Sequence, residues 1–215
     1  MKSSKKFVNN MVKKILIAGF RYVKFKWLNF RLRLAVNRRP LKITVGAGGT
    51  SQKGWVSTDI EHLNLLDELT WARYFKESSV DAIIAEHVWE HLAADEAVVA
   101  IKHCFSYLKR DGYIRIAVPD GFHPSPQYID AVKPGGSGDG SDDHKALYNY
   151  KTITELIRKA GFEVKLLEWY DQKGKFHFVD WSPETGMIWR SSRFDQRNKD
   201  NKLNYTSLIV DAIKL

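Results

Sequence analysis

The chain has 215 residues, of which 44% are hydrophobic and 13% aromatic, and it contains one cysteine. This composition is typical of a globular protein, and it excludes a disordered chain, an internal disulfide and a zinc site built from several thiolates. Residues 1–39 hold twelve Lys or Arg and no Asp or Glu, whereas the rest of the chain holds 22 basic and 25 acidic side chains. The formal net charge of +9 therefore belongs to an N-terminal arm.

The arm is predicted to form a basic amphipathic helix. Apolar residues recur in it at helical spacing, at Val8, Met11, Val12, Ile15 and Leu16. A basic helix with aromatic residues suits an anionic membrane surface, here the inner face of the membrane of a cytoplasmic protein. The alternative is a helix that packs on the domain and exposes its basic side.

No secretory signal is predicted, because the apolar stretch Ile15–Phe20 is short and Arg21 follows it. The sequence contains no run of about 18 apolar residues, the length that would span a bilayer as a helix. Nucleic acid is not expected as a partner, since the chain beyond the arm is mildly acidic. Pro40 marks the predicted boundary, with an arm over 1–39 and one domain over 40–215.

From residue 41 onward, short apolar runs alternate with segments of helical periodicity. The predicted strands are LKITV, WVSTDI, DAIIAEHV, YIRIAVP, FEVKLLEWY and YTSLIVDAIKL. One predicted helix covers ADEAVVAIKHCFSYLKR and ends at Gly112, and a second covers TITELIRKA, starts with a capping box of Thr152 and Glu155 and ends at Gly161. This alternation predicts an α/β fold with a doubly wound, mostly parallel sheet and an antiparallel C-terminal strand.

The turn VGAGGTS follows the first predicted strand. Gly46 and Gly48 allow the backbone to approach a ligand closely, and Asp59 ends the next strand thirteen residues after the first glycine. A carboxylate there can accept hydrogen bonds from both hydroxyls of a ribose, so the pattern predicts an adenosine ligand. A nicotinamide site is not indicated, because it needs about 20 residues and a full helix before the acid. The alternative is a tight structural turn.

The stretch HVWEHL matches a zinc-hydrolase pattern, H-x-x-E-H. A zinc site of that type needs His87 and His91 on one helix. The preceding residues predict a buried strand instead, so His87 should end the strand and His91 should lie past a turn. We therefore expect no metal here, with Glu90 and His91 at the start of the following helix, although a third ligand from Asp142, Asp143 or His144 would allow one.

Five stretches together resemble the class I S-adenosylmethionine-dependent methyltransferases, a family with a Rossmann-like fold. They are ITVGAGGTSQKGWVSTDI, SVDAIIAEHVWEHL, LKRDGYIRIAVPDG, DDHKALYNYKTITELIRKAGFEV and YTSLIVDAIKL, and they cover most of residues 41–215. The similarity is greatest to a small bacterial branch associated with cell-surface polysaccharide pathways. It implies S-adenosylmethionine as cofactor and transfer of its methyl group, at oxygen, to a glycan or glycolipid intermediate.

The resemblance also implies which residues surround the cofactor: Gly46, Ala47, Gly48, Asp59, Ile60, Asp67, Glu86 and His87. The three residues of the glycine turn would contact the methionine part. Asp59, with its neighbour, would hold the ribose, and Asp67 would bind the adenine amino group. Glu86 and His87, at the end of the DAIIAEHV strand, would lie near the sulfonium.

The segment from Pro119 to Tyr150 is predicted to be a long polar loop beside the cofactor, and loops of this length in compact domains are usually functional or disordered. His144 is predicted to be the base that takes the acceptor's proton, with Asp143 as its orienting carboxylate. The alternative is that these residues only cap the next turn. His177 is a second candidate base, with a structural role as its alternative.

The sequence therefore predicts a methyltransferase that acts on a small-molecule or glycan acceptor. Two other hypotheses stay open at this stage. One is a metal-dependent hydrolase built on HVWEHL, and the other is a protein that binds S-adenosylmethionine without catalysis.

Overall fold

The structure is a computed structural model that describes residues 23, 26, 29–30, 32–34, 37, 39–198 and 202–215. The chain divides into two compact units, Met1–Arg38 and Arg39–Leu215. In the first unit the described residues 23, 26, 29–30 and 32–34 have helical backbone. The amphipathic pattern of residues 8–16 lies outside the described residues, so the predicted helix there stays a prediction. In the described part of the chain, no helix is long and apolar enough to cross a membrane.

The second unit is built on one seven-stranded sheet. Its strands are β1 (Lys42–Val45), β2 (Trp55–Ser57), β3 (Val80–Glu86), β4 (Leu108–Pro119), β5 (Glu163–Tyr170), β6 (Phe176–Phe178) and β7 (Ser207–Ile213), in the order β2-β1-β3-β4-β7-β5-β6. The first four strands pair in parallel, and β7 inserts antiparallel between β4 and β5. The predicted Rossmann-like α/β sheet with an antiparallel C-terminal strand is therefore confirmed.

Four helices belong to this unit: α1 (Glu68–Ala72), α2 (Ala94–Tyr107), α3 (Pro126–Val132) and α4 (Tyr150–Lys159). Alternate residues of the sheet, Ala82, Ile84, Ala117 and Ile209, belong to one buried cluster. Trp181 and Ile188, from the irregular segment between β6 and β7, pack in the same cluster. This segment, in which Pro183–Thr185 forms a 3₁₀ turn and not an α-helix, therefore covers part of one face, where the sequence predicted helices.

The boundary between α2 and β4 differs from the prediction. The helix ends at Tyr107, and Leu108 already pairs with Val80 in the sheet. The positive φ of 63° falls on Asp111 and not on Gly112, where a Cβ would lie 2.9 Å from the carbonyl oxygen of Lys109. Residues from Leu108 onward fit the helical periodicity, but they also find backbone hydrogen-bond partners in β3. The pairing with β3 therefore ended the helix earlier than its periodicity predicts.

Two further local predictions need correction. Helix α4 is capped by Asn149, whose Oδ1 accepts hydrogen bonds from Lys151 N and Thr152 N, so Thr152 is the N3 residue of the capping box and not the cap. The predicted long loop contains the helix α3. This helix begins with a recognisable sequence signal, a Ser cap followed by Pro at the first helical position. The predicted helix end at Gly161, with φ of 96°, is confirmed.

Candidate functional site

The glycine turn after β1 has the backbone that its sequence requires. Gly46 and Gly48 have φ values of 57° and 54°, in the left-handed region that favours glycine. A Cβ on Gly46 would lie 2.5 Å from Cγ2 of Val88, whereas a Cβ on Gly48 would meet nothing within 4 Å. Ala47 lies between them, and all three residues of the turn line a cavity of about 280 Å³. The turn thus leaves its backbone open to a ligand.

Asp59 is held in place by the backbone on both sides of it. Gly48 N donates to one carboxylate oxygen over 3.1 Å, and Ile60 N donates to the other over 2.9 Å. Asp59 and Ile60 line a second cavity, of about 490 Å³, together with the apolar side chains of Leu63, Leu65 and Leu66. Because each carboxylate oxygen accepts more than one hydrogen bond, both retain capacity for the hydroxyls of a ligand.

The structure does not place Asp67 in this cavity. Its Oδ1 accepts a hydrogen bond from Leu69 N over 3.0 Å and caps α1. Asn64 lines the cavity instead, with its Oδ1 accepting from Leu66 N over 2.9 Å. The adenine contact expected of Asp67 therefore has no support from its position.

The end of β3 carries two predicted site residues with different surroundings. The carboxylate of Glu86 accepts hydrogen bonds from Trp189 N over 3.2 Å and Arg190 N over 2.7 Å, so it fastens that segment to the strand. His87 has a positive φ of 55°. Its Nε2 donates to the Ser207 hydroxyl over 2.9 Å, and that hydroxyl donates to the carbonyl oxygen of Arg190.

His87 lies where three cavities meet. It lines the 280 Å³ cavity of the glycine turn and the 490 Å³ cavity of Asp59. It also lines a third cavity, of about 690 Å³, that contains His144 on its wall. A single side chain at the carboxyl end of β3 thus borders both of the smaller cavities and the larger one.

The HVWEHL stretch is not a continuous helix. The strand β3 ends at Glu86, and Trp89–His91 forms a single 3₁₀ turn before α2 begins at Ala94. His87 and His91 therefore do not lie one helical turn apart on the same helix, and the prediction that they would not is confirmed. Glu90 and His91 precede α2 but do not cap it, because Ala93 is the cap residue and its N–H donates to Glu96.

Asp143 and His144 do not form the predicted pair. The Oδ1 atom of Asp143 lies 2.8 Å from Nδ1 of His91, whereas Nδ1 of His144 donates to the carbonyl oxygen of Val132 over 2.7 Å. A backbone carbonyl, and not a carboxylate, therefore orients the imidazole of His144. This hydrogen bond leaves Nε2 of His144 with a free lone pair.

Two further histidines, His123 of the predicted loop and the second candidate base His177, have structural surroundings. His123 is buried, its ring stacks on Tyr128 at 3.9 Å, and burial lowers its pKa to about 4. His177 lies on the hairpin strand β6, where its hydrogen bond lowers the pKa of Asp171 to about 2. Neither histidine lines the three cavities.

Sequence reasoning missed two arginines on the wall of the 690 Å³ cavity. Arg197 is bound by both oxygens of Asp195 and lies over the ring of Tyr205, 3.4 Å from its centroid. Arg190 forms no ion pair within the described part of the chain, and its side chain is exposed. Both come from an irregular segment without periodicity, so no pattern indicated that they would meet at this cavity.

No family model matches the chain, and no curated protein matches it. Several solved structures are similar in outline. An S-adenosylmethionine-dependent methyltransferase from Archaeoglobus fulgidus is 16% identical, with 88% of this chain and 94% of that chain covered and a TM-score of 0.48. An S-adenosylmethionine-dependent methyltransferase from Thermotoga maritima is 12% identical, with 94% and 96% covered and a TM-score of 0.45.

A third similar structure is the phosphoethanolamine N-methyltransferase 2 of Haemonchus contortus in complex with phosphomonomethylethanolamine and S-adenosylhomocysteine. It is 14% identical and has a TM-score of 0.44, and the match covers 86% of this chain but 52% of that one. Likenesses at these identities and TM-scores do not identify a ligand or a reaction for this chain.

Proposed function

We propose that this protein is an S-adenosylmethionine-dependent methyltransferase. The observation that carries the proposal is the position of His87 between two ligand-sized cavities at the carboxyl end of β3 and a third cavity that holds a candidate base. Ligands of open α/β sheets bind outside the carboxyl ends of the strands. The arrangement suits a cofactor in the two smaller cavities and an acceptor in the larger one.

The residues around the smaller cavities fit this cofactor. The apolar cavity of the three leucines would take the adenine, and the fixed carboxylate of Asp59 would accept both ribose hydroxyls. The hydroxyl of Thr44 supports the position of the methionine part. It is buried, lines the cavity of the glycine turn and has no hydrogen-bond partner in the described part of the chain. A buried hydroxyl without a partner is costly, and the polar end of a bound methionine would satisfy it.

When bound, S-adenosylmethionine supplies an electrophilic methyl group on a positively charged sulfur. The chain's own contribution is to hold an acceptor oxygen in line with that carbon, because positioning supplies much of the rate of such a transfer. As the oxygen bonds to the methyl carbon, the carbon–sulfur electron pair stays on sulfur. His144, on the acceptor side, offers Nε2 to the proton that the hydroxyl loses.

The cofactor site is tested by calorimetric binding of S-adenosylmethionine to the wild type and to Asp59→Ala. We expect micromolar binding that weakens at least tenfold in the variant, which corresponds to about 1.4 kcal/mol. Asp67→Ala is the matched control, since Asp67 caps α1 outside the cavity and its loss should leave the affinity unchanged. Absence of binding by the folded wild type would contradict the proposal.

A glycan or glycolipid is the proposed acceptor, and residues 1–39 are the proposed contact with an anionic membrane. The arm's charge and the family resemblance support this, as do Arg190 and the exposed side chain of Trp189 beside the cavities. We expect the full chain to sediment with anionic vesicles and to transfer labelled methyl groups into a membrane glycolipid fraction. A chain without residues 1–39 should stay in the supernatant. Vesicle binding that persists after this deletion would contradict the proposal that the arm binds the membrane.

A further inference from the structure

The side chain of Glu90 is fully buried, and within the described part of the chain its ion-pair contact is with His87. Neither carboxylate oxygen accepts a hydrogen bond within the described part of the chain. The closest group is Nδ1 of His87, 2.8 Å from Oε1, but this contact lacks the alignment of a hydrogen bond. The nearby ammonium group of Lys145 is bound to Glu96 instead. Apart from His87, no cationic side chain of the described residues lies within ion-pair distance of this carboxylate, whose negative charge burial strongly disfavours.

Two imidazoles face this carboxylate from different parts of the chain. Glu90, His91 and His144 each offer one ligand atom, and these atoms lie within 4.8 Å of one another. The rings of His91 and His144 are 4.8 Å apart and nearly perpendicular, so they can direct nitrogen lone pairs to a common point. Lys145 N and Ala146 N both donate to the carbonyl oxygen of Glu90, which fixes the two segments together.

The surroundings of both histidines resemble those of metal-bound imidazoles. Metal-bound histidines usually donate their second ring nitrogen to a carbonyl or a carboxylate, which orients the ring. Nδ1 of His144 donates to the carbonyl oxygen of Val132 over 2.7 Å and leaves Nε2 free. The carboxylate of Asp143 lies 2.8 Å from Nδ1 of His91, an ion-pair distance without the alignment of a hydrogen bond. A small rotation of this exposed carboxylate would let it accept from Nδ1 and orient His91, a different role from the one its sequence suggested.

We propose that Glu90, His91 and His144 bind one divalent transition-metal ion, with Zn²⁺ the best match. Two nitrogen ligands and one carboxylate suit Zn²⁺, whereas Mg²⁺ and Ca²⁺ prefer oxygen ligands throughout. The set differs from the H-x-x-E-H pattern in the sequence, because it replaces His87 with the distant His144. It also replaces the expectation from sequence that no metal binds here.

The location of the site assigns it a role that rests on the proposed function. His91 lines the cavity of Asp59 and His144 lines the acceptor cavity, so the ion would lie between the two. Three protein ligands leave a coordination position open, as in catalytic zinc sites. An acceptor hydroxyl in that position would lose its proton to water more easily. With the ion bound, that oxygen would attack the methyl carbon, the carbon–sulfur electron pair would stay on sulfur, and Nε2 of His144 would hold the ion instead of taking the proton.

Metal binding can be measured without cofactor or acceptor. Untagged full-length protein is treated with a chelator, dialysed and titrated with Zn²⁺ by calorimetry and with Co²⁺ by visible absorption. We expect one ion per chain, Co²⁺ bands of low coordination number and a higher melting temperature with Zn²⁺. Glu90→Gln and His144→Gln should each weaken binding at least tenfold, whereas Asp142→Asn, an exposed carboxylate in the same loop, should not.

Absence of stoichiometric binding by the folded wild type overturns the proposal, and so does binding that both variants retain, which would mark a surface ion. His144 is only partly buried, so His144→Gln keeps the test decisive if Glu90→Gln does not fold. S-adenosylmethionine binding by the same preparations is measured separately. Loss of metal with retained cofactor binding, or the reverse, shows which of the two proposals has failed.

Discussion

Replacing Arg115 with methionine should lower the free energy of unfolding by about 3–5 kcal/mol. Arg115 is 2% exposed in the centre of the sheet, on β4. Its guanidinium binds both carboxylate oxygens of Asp211 on β7, over 2.7 and 2.8 Å. The variant would leave that carboxylate, with only 14% of its side chain exposed, without its cation. Removal of one partner of a buried ion pair costs far more than the pair itself contributes.

This arginine also connects the sheet to the segment that closes the candidate site. Nη1 donates to the carbonyl oxygen of Gly186, and Nη2 donates to the hydroxyl of Thr185. The same segment continues to Arg190, whose backbone N–H is bound by Glu86. We therefore expect the variant to hold the segment from Thr185 to Arg190 less firmly against the sheet, in addition to having a less stable sheet.

Urea unfolding of the wild type and the variant measures the effect. Arg158→Met is the matched control, because Arg158 is exposed on α4 and its loss should change stability by less than about 0.5 kcal/mol. The double variant Arg115→Met/Asp211→Leu should recover much of the loss, since it leaves no buried charge unpaired. An Arg115→Met protein as stable as the wild type would contradict the assignment of a buried pair.

Stability should fall as the pH rises from 4 to 7, by about 2 kcal/mol relative to Asp120→Asn. Asp120 follows β4 and is fully buried, and burial raises its pKa from 3.8 to about 6 even though its carboxylate accepts from Tyr170 N and Phe122 N. The folded protein thus holds this proton more tightly than the unfolded chain. The stabilisation is complete only below the unfolded pKa of 3.8, and it is lost as the pH rises through about 6.

Urea unfolding at several pH values between 4 and 7 gives the comparison. The difference between wild type and Asp120→Asn isolates this carboxyl from the other acidic groups of the chain. The exposed Asp142→Asn should follow the wild type at every pH. Parallel profiles for wild type and Asp120→Asn would show that the Asp120 carboxyl titrates at the same pH in both states.

The sequence alone determined six of the seven described strands, all but the short β6, together with the C-terminal antiparallel insertion and the position of Asp59 beside the glycine turn. These features depend on local properties: apolar β-branched runs form buried strands, and glycine accepts the positive φ of the turn. Asp59 could be placed near Gly48 because the carboxyl ends of neighbouring parallel strands lie at one edge of the sheet. Local spacing also predicted correctly that HVWEHL is not one helix.

Only the tertiary structure decided which side chains meet across the chain. Glu90 and Lys145 are joined by a backbone hydrogen bond although 55 residues separate them, and Asp143 contacts His91 and not its neighbour His144. The α2–β4 boundary depended on a partner in β3 for the same reason. Contacts of this kind are set by how the elements pack and leave no periodic trace in the sequence, so the cluster of Glu90, His91 and His144 became visible only in the folded chain.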